Sequence, residues 1–521
     1  MKEPVAYNTF FVTEEDLKSV PPYMKDTALT PQEVKCPTSG TWPKWLAGEF
    51  VRVGNYKYTI PLAEDGSKPN AVLQHFFDGL GSLHRFRFAN GEVHYNSNSN
   101  TEGVLRNAKR DGIVPEVCTR PVLITTGGIG HLAPDEMNLQ VMPRRGMHLA
   151  KDDNPHSRGT ASSNPEEEEI IVHTDYNFLQ DCDAKSLEPK RLITYATIDP
   201  SLAGFGICAH PPKDRKRGLT FNYVISEKRE LSVFALNYKG KPASLVWKTI
   251  LPCPPCHIHS LAISDKYVIF IRNPLNMDVS DMSKPVMEMI EFEPGAKTLF
   301  FVLDKKDGKI VGTFAAPNFM FFHSVNGYDY IDPQTRLENI HEGTLVRYEL
   351  AGVNDAKKSD KDEGRATVAQ GFRDFPMELP RINKTYSTVP FYRYVYATGG
   401  NGGPSPGTLV PVGRLGKNLK CVQGAFFNRI AKADWQTGKT WTWQPENGDS
   451  CPCEPVFIQR PEAAEEDDGV VLTIIINRGG THSILVALDG KDLTQIARAD
   501  MPQVYGLGPH GSFIEGKGMY P

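Results

Sequence analysis

No stretch of this sequence is long and apolar enough to cross a membrane as a helix. The most apolar run, Val470–Ile476, is seven residues with Thr473 inside it, against about 20 for a spanning helix. A charge excess is also missing. The 58 basic and 62 acidic residues leave a net charge of −4, so no surplus of cations exists to neutralise a phosphate backbone, and nucleic acid is excluded as the main ligand. The N-terminal segment carries Glu3, Glu14, Glu15 and Asp16 and lacks an apolar core, so no signal peptide is expected. Nine cysteines, an odd number, do not make a disulfide framework; they read as reduced thiols, and a cytoplasmic location is expected. Amphipathic helix patterns are confined to Glu14–Lys18 and Val104–Arg110. No patterning specifies an oligomer.

What the chain does contain is turn residues and strand formers. Gly (45) and Pro (40) together are about one residue in six, which favours many turns over a helical bundle. Hydrophobic residues at 40% and charged residues at 23% are ordinary globular usage, so bulk disorder is excluded. At about 150 residues per domain, 521 residues allow three ordinary domains or one repeat-built domain. Period-2 segments rich in Val, Ile, Phe, Tyr and Thr predict strands. They lie at His84–Phe88, Val93–Tyr95, Leu219–Val224, Tyr267–Ile271, Thr298–Leu303, Phe391–Tyr396, Lys439–Trp443 and Val470–Ile476.

Several strands end in one phrase, an apolar run followed by Asp and a Gly-Lys pair, as at Phe301–Lys309, Ile430–Lys439 and Leu485–Lys491. Weaker copies are Leu179–Lys185 and Phe234–Lys241. Gly240, Gly308, Gly438 and Gly490 lie 68, 130 and 52 residues apart in turn. A unit repeating at about 50–70 residues predicts β-propeller blades. The rival, a string of β-sandwiches, lacks the Pro/Ser-rich linkers it needs. Ala351–Ala369, polar and charged, reads as a surface insertion, and Glu166–Glu169 as a solvated loop.

Familiar catalytic phrases are missing too: no P-loop, no G-x-G-x-x-G after a strand, no H-E-x-x-H and no G-x-S-x-G. Thr398–Gly403 is glycine-rich but runs into Pro404 without a Lys-Ser/Thr, and reads as a loop. Cys253-Pro-Pro-Cys256-His257 matches the covalent haem pattern and, with His259, half a zinc site. The haem reading needs export. The zinc reading needs a second pair, which Cys451 and Cys453 match poorly, so free cysteines near a strand start are the simpler reading. Fourteen histidines remain, and spacing alone does not choose among them.

Local phrases do. Ala209-His210-Pro211, His259–Tyr267, Phe321-Phe322-His323-Ser324 and Pro509-His510-Gly511 resemble the four metal-ligand motifs of the carotenoid cleavage oxygenases. Further phrases stand in the same order: Gly48–Asn55, Phe77–His84, Glu378–Asn383, Glu454–Phe457 and the acidic Glu466–Gly469 before a β run. The resemblance runs from about residue 40 to the end of the chain. It implies an all-β, seven-bladed β-propeller over residues 41–521, with short helices and loops capping the face over the metal, after an N-terminal extension of residues 1–40. It implies one Fe(II) per chain on the propeller axis, held by His210, His259, His323 and His510, with O2 as co-substrate. The spacings agree: 49 residues from His210 to His259, 64 to His323 and 187 to His510, the last about three blades.

Neutral imidazoles suit Fe(II), and without a ligating carboxylate the set differs from a 2-His-1-carboxylate triad. In the family three glutamates orient the ligand rings. Glu378 and Glu454 match two of them. The third falls on Asp175, one methylene shorter, which leaves either a direct contact or a bridging water. Period 2 puts His257 and His259 on one face; the family phrase, with its His eight residues before Tyr267, selects His259. Phe319, Phe321 and Phe322 flank a ligand and are candidates for an aromatic substrate tunnel, or plain core. Pro121–Leu132 is the candidate for a membrane-facing apolar patch, or a buried strand.

The implied reaction is oxidative cleavage of a conjugated C=C bond of an apolar polyene. Stilbene-cleaving members hold a phenol hydroxyl with a Lys just before the orienting acid, where this chain has Thr174. Asn100–Val104 and Thr174–Phe178 most resemble the torulene-cleaving members from filamentous fungi, so a carotenoid such as torulene is the expected substrate. The alternatives are stilbene cleavage, isomerohydrolase chemistry and a non-catalytic propeller that binds a partner.

Overall fold

Side chains that alternate along a single strand enter two different cores, and this organises the whole protein. In the computed structural model Val470, Leu472 and Ile474 pack into one core, while Val471 and Ile475 of the same strand, Gly469–Ile476, pack into the next. Val233 and Ala235 face one core, and Phe234 and Leu236 the other. Successive side chains point to opposite faces. A sheet covered on both faces therefore reads as a continuous apolar run rather than an alternating one. The structure describes residues 22–516 except 69, 74–77, 113–131, 140, 150–153, 160–161, 281–288, 330–333, 342–343, 354–363, 373–374, 376, 400–428, 447–448, 450–452 and 507.

The described strands form six sheets of four or more strands and two two-stranded ones. The large sheets are antiparallel meanders in a propeller-like arrangement. One of them has eight strands, joined in its middle by parallel pairing of Phe314–Ala315 with Gly364–Arg365. Seven of the strands at sheet edges are β1 (Met142–Arg145), β2 (Lys213–Asp214), β3 (Ala262–Ile263), β4 (Phe321–Asp329), β5 (Met377–Arg381), β6 (Val456–Gln459) and β7 (Gly511–Glu515). Ser512 Oγ in β7 donates to the Pro143 carbonyl in β1 at 2.6 Å. His210 bridges Ser260 between two sheets.

The ends of the chain close the ring. β7 pairs antiparallel with Gly48–Lys57 in the first sheet. Within the expected N-terminal extension, Val34–Lys35 pairs with Glu92–Ser99, and Thr38–Gly40 with Gln495–Asp500, so these residues are outer strands of two sheets. Among the described residues the helix α1 (Glu102–Asp111) realises the pattern expected at Val104–Arg110. It buries Val104, Leu105 and Ala108 and ends at Gly112 in the left-handed region. No described helix is long and apolar enough to cross a membrane. Glu14–Lys18 lies outside the described residues.

The repeated turn has one geometry in four sheets. Asp183, Asp304, Asp434 and Asp489 each accept the amide of residue i+2 on Oδ1 at 2.8–2.9 Å. Each also accepts, on its carbonyl, the amide of residue i+4 at 2.8–2.9 Å. That i+4 residue has φ between +64° and +74°. It is Gly308 and Gly438 in two turns but Leu187 and Leu493 in the others. The expectation that Gly490 fills this role is corrected: Leu493 does, because the turn counts from its Asp and not from its Gly. The weak copy at Leu179–Lys185 is a full copy for the same reason.

Three further expectations change. Phe391–Arg393 precede the strand Tyr394–Gly399 instead of opening it. Glu169 is not solvated: it opens a strand and is 1% exposed beside Arg191. Gly364–Phe372 is a strand, so the insertion expected at Ala351–Ala369 is shorter, and its residues 354–363 lie outside the described set.

Candidate metal centre

Each of the four selected histidines sits at or near the axial end of an edge strand: His210 before β2, His259 before β3, His323 inside β4 and His510 just before β7. Their ring nitrogens converge. His210 Nε2 lies 3.1 Å from His259 Nε2 and 3.1 Å from His510 Nε2, and His323 Nε2 lies 3.3 Å from His510 Nε2. All four nitrogens fall within 4.8 Å of one another.

Carboxylates hold the far side of three rings. His259 Nδ1 is 2.9 Å from both oxygens of Asp175, His323 Nδ1 is 2.8 Å from Glu378 Oε2, and His510 Nδ1 is 2.9 Å from Glu454 Oε1. The contact left open for Asp175 is thus direct. A carboxylate at Nδ1 makes that nitrogen the donor and leaves the lone pair on Nε2. At least three lone pairs therefore point at one spot, where they repel one another unless a cation lies between them. The donor set fits a divalent metal of the kind imidazole prefers.

Electrostatics agrees. Burial and the neighbouring histidines hold His210 well below the usual imidazole range. Burial carries His510 down to about 3, beyond what Glu454 restores. Burial also opposes charge on His259, but Asp175 outweighs it and its pKa is raised. Burial alone would raise the Glu454 carboxyl, yet Arg381 and His510 bring it down to about 2. Asp175 and Glu378 are lowered by His259 and His323 against the same opposing burial. His210 and His510 are thereby kept neutral, as a metal ligand must be, and carboxylates back three of the four rings.

Two arginines had no role assigned from sequence. Arg381 Nη2 donates to Glu454 Oε2 at 2.8 Å and to the Gly511 carbonyl at 2.7 Å. Arg52, fully buried, donates to the carbonyls of Glu454 and Pro509, both at 3.0 Å. Arg52 thereby ties the backbone that carries Glu454 to the backbone that carries His510. Both arginines lie inside phrases already singled out, and that was the available signal.

His257 stays outside the ring of four. Its ring lies on the Asp175 side of His259, within 4.8 Å of both. Of the three candidate tunnel phenylalanines, Phe319 and Phe321 are buried in a core cluster with Phe300 and Tyr348. Phe322 is 44% exposed, and its ring centre is 6.0 Å from that of His259. Cys256 and Cys453 are buried, free thiols. Residues 121–131 of the apolar patch, and 400–403 of the glycine-rich segment, lie outside the described residues; Leu132 packs against the core around Leu139.

Comparison with known proteins follows the same lines. The chain is 24% identical to a torulene dioxygenase of Gibberella fujikuroi over 91% of this chain and 89% of the relative. It is 25% identical to a carotenoid dioxygenase of Neurospora crassa over 92% and 88%. Among solved structures it resembles a Synechocystis apocarotenoid oxygenase mutant with a TM-score of 0.69 and 18% identity, covering 97% of this chain and 99% of that one. A Pseudomonas brassicacearum lignostilbene dioxygenase gives a TM-score of 0.68 at 20% identity, covering 93% and 96%. These structural likenesses are of fold. Residues 26–515 match the family model described as retinal pigment epithelial membrane protein.

Proposed function

The chain belongs to the carotenoid oxygenase family, that of the retinal pigment epithelial membrane protein, and from this premise we propose that it is a non-haem Fe(II) dioxygenase cleaving an apolar polyene. The reaction uses O2 to split one conjugated C=C bond into two carbonyl fragments. The observation that carries the reading is the ring of four imidazole nitrogens, three of them turned inward by Asp175, Glu378 and Glu454. Bound there, Fe(II) supplies the redox chemistry that joins O2 to an alkene.

The chain's own residues position and exclude. The three carboxylates fix ring orientation and tautomer, and Arg381 and Arg52 fix Glu454 in turn. Phe322 offers an apolar face beside His259. We read the eight-stranded sheet as two blades joined at their outer edges, which gives a single seven-bladed propeller domain that takes in, besides residues 41–521, the outer strands Val34–Lys35 and Thr38–Gly40, with helix and loops over the metal. An apolar patch for a membrane surface fits the delivery of such a substrate.

The substrate reading is a carotenoid, with torulene as the candidate, because the two fungal relatives named above carry those activities. A stilbene is less suited. Thr174, 7% exposed, stands where a charge-assisted donor to a phenol is needed, whereas an apolar polyene gains about 25 cal/mol per Å² removed from water. A competition between torulene in detergent micelles and a 4-hydroxystilbene, read by product mass spectrometry, tests this. Apocarotenal with intact stilbene is expected. Benzaldehydes with intact carotenoid overturn the substrate and leave the metal ring standing.

A further inference from the structure

The edge strands carry the histidines at one end and a group of cations toward the other. Arg144 and Arg145 close β1, Lys213 and Arg215 lie in and just after β2, and Lys384 follows β5. They are neighbours across the axis. Arg145 Nη2 donates to the Glu515 carbonyl at the end of β7 at 2.8 Å, and Lys384 pairs with the Glu515 carboxylate. Lys213 stands 4.9 Å from the centre of the Tyr238 ring and feels Arg144, Arg145 and Arg215. Among the described residues the Arg144 side chain has neither a hydrogen bond nor an ion pair, and its buried Nε is unpartnered. The charged groups acting on it are Arg381 and Arg215, both cations. His173, opposite Met142 on the neighbouring strand and 1% exposed, has no partner for either ring nitrogen.

Buried polar groups in native structures are nearly always partnered, and Arg144, half-buried, keeps its buried Nε without one. Carboxylates do face the group. Besides Glu515, Glu166 acts on Lys213, and Glu166, Glu167 and Glu49 act on Arg145. None of these is paired with Arg144. Burial, then the neighbouring cations, lower Lys213 to about 7, the direction expected where positive charge is crowded. Arg215 and Lys384 are exposed and mark the approach from solvent.

We propose that this end of the axis binds a tetrahedral oxyanion of about two negative charges, inorganic phosphate or a phosphate monoester, between Arg144, Lys213 and Arg215, with Arg145 and Lys384, already engaged by Glu515, at its rim. Two planar guanidinium forks and an ammonium group offer more donors than the two oxygens of a carboxylate can accept; the oxygens of a phosphate match them. The bound anion would join the edge strands of sheets that touch only near the axis. It is a site separate from the histidine ring and does not depend on the proposed reaction.

Isothermal titration at neutral pH and fixed ionic strength tests it, with inorganic phosphate and glycerol 3-phosphate titrated separately. Calorimetry is preferred to melting because phosphate stabilises most proteins non-specifically. One saturable site per chain is expected for at least one of the two, the tighter one identifying the source. Arg144→Met should weaken it about 10–100-fold, the loss of one charged hydrogen-bonding partner. In anion-free buffer the same variant should melt no lower than the native chain, since it removes an unpaired charge. Lys213→Met is the second variant, read the same way if the first does not fold. No saturable heat with either anion at millimolar concentration, or unchanged affinity in the variants, overturns the proposal.

Discussion

Replacing Asp175 by Asn exchanges one oxygen for an NH2 group and removes a charge at almost constant volume. In the native site both carboxylate oxygens lie 2.9 Å from His259 Nδ1, so Nδ1 carries the proton and Nε2 the lone pair. An Asn amide can turn its nitrogen toward Nδ1. The imidazole then keeps its proton on Nε2, the atom that faces His210 Nε2 at 3.1 Å, and it no longer serves as a ligand. A charge-assisted hydrogen bond contributes about 1.5–3 kcal/mol, which is roughly 10–100-fold in an equilibrium constant and the usual range for losing a ligand's orienting partner. Fe(II) affinity by anaerobic equilibrium dialysis should fall by that factor in Asp175→Asn. Asp175→Glu should fall too, because a methylene added where the carboxylate already touches the ring costs about 1–3 kcal/mol. An Asn variant binding Fe(II) within about twofold of the native chain, far below the 1.5–3 kcal/mol range, refutes the orienting role.

His257→Ala should retain its iron and His259→Ala should lose it, measured by metal content after gel filtration; the reverse pattern means the ligand register is displaced by one alternation. In the repeated turn, Gly438→Ala should cost about 1 kcal/mol of left-handed strain, since nothing lies within 4 Å of the added carbon. Gly308→Ala should cost about 2–4 kcal/mol, because Trp247 Cε3 stands 2.5 Å away; equal denaturant midpoints for the two variants contradict this. Glu33 is clamped by Arg87 and Arg85, and these bonds outweigh burial to hold its carboxyl at about 2. Its folded pKa is depressed, so its contribution is complete above about pH 4.5 and is lost as pH falls toward 2. The melting difference between the native chain and Glu33→Gln, of order 1 kcal/mol or less at this half-exposed site, should therefore narrow across that window, and a difference that widens on acidification rules the clamp out.

The convergence of the four histidines was readable from local phrases because a strand end fixes the neighbours of each histidine, and because one histidine per edge strand leaves a blade-sized spacing. The inner strands were readable from composition because they are buried on both faces, as Gly469–Ile476 is, whereas an outer strand such as Gly364–Phe372, largely exposed, reads in sequence as part of an insertion. What escaped depends on backbone placement. The side-chain length of Asp175 says nothing about how close its strand lies to His259, so direct contact and a bridging water looked equivalent. Phe319, Phe321 and Phe322 look alike in sequence, yet only Phe322 lies against a ligand ring. Arg52 and Arg381 act on carbonyls and a carboxylate far away in the chain, 402 and 73 positions from Glu454, and no local pattern encodes that. The turn was misread at Gly490 because its left-handed position is counted from the Asp and can be filled by a buried Leu.

One iron held by four imidazoles is the centre of the proposed function. The direct measurement is the iron content of the native chain and of His510→Ala, each loaded with Fe(II) under anaerobic conditions and freed of excess metal. His510 is 1% exposed and holds two of the three shortest nitrogen–nitrogen approaches, so its loss opens the ring at its most buried point. One iron per native chain and almost none in His510→Ala is predicted; a His510→Ala protein that folds and still carries one iron per chain contradicts the account.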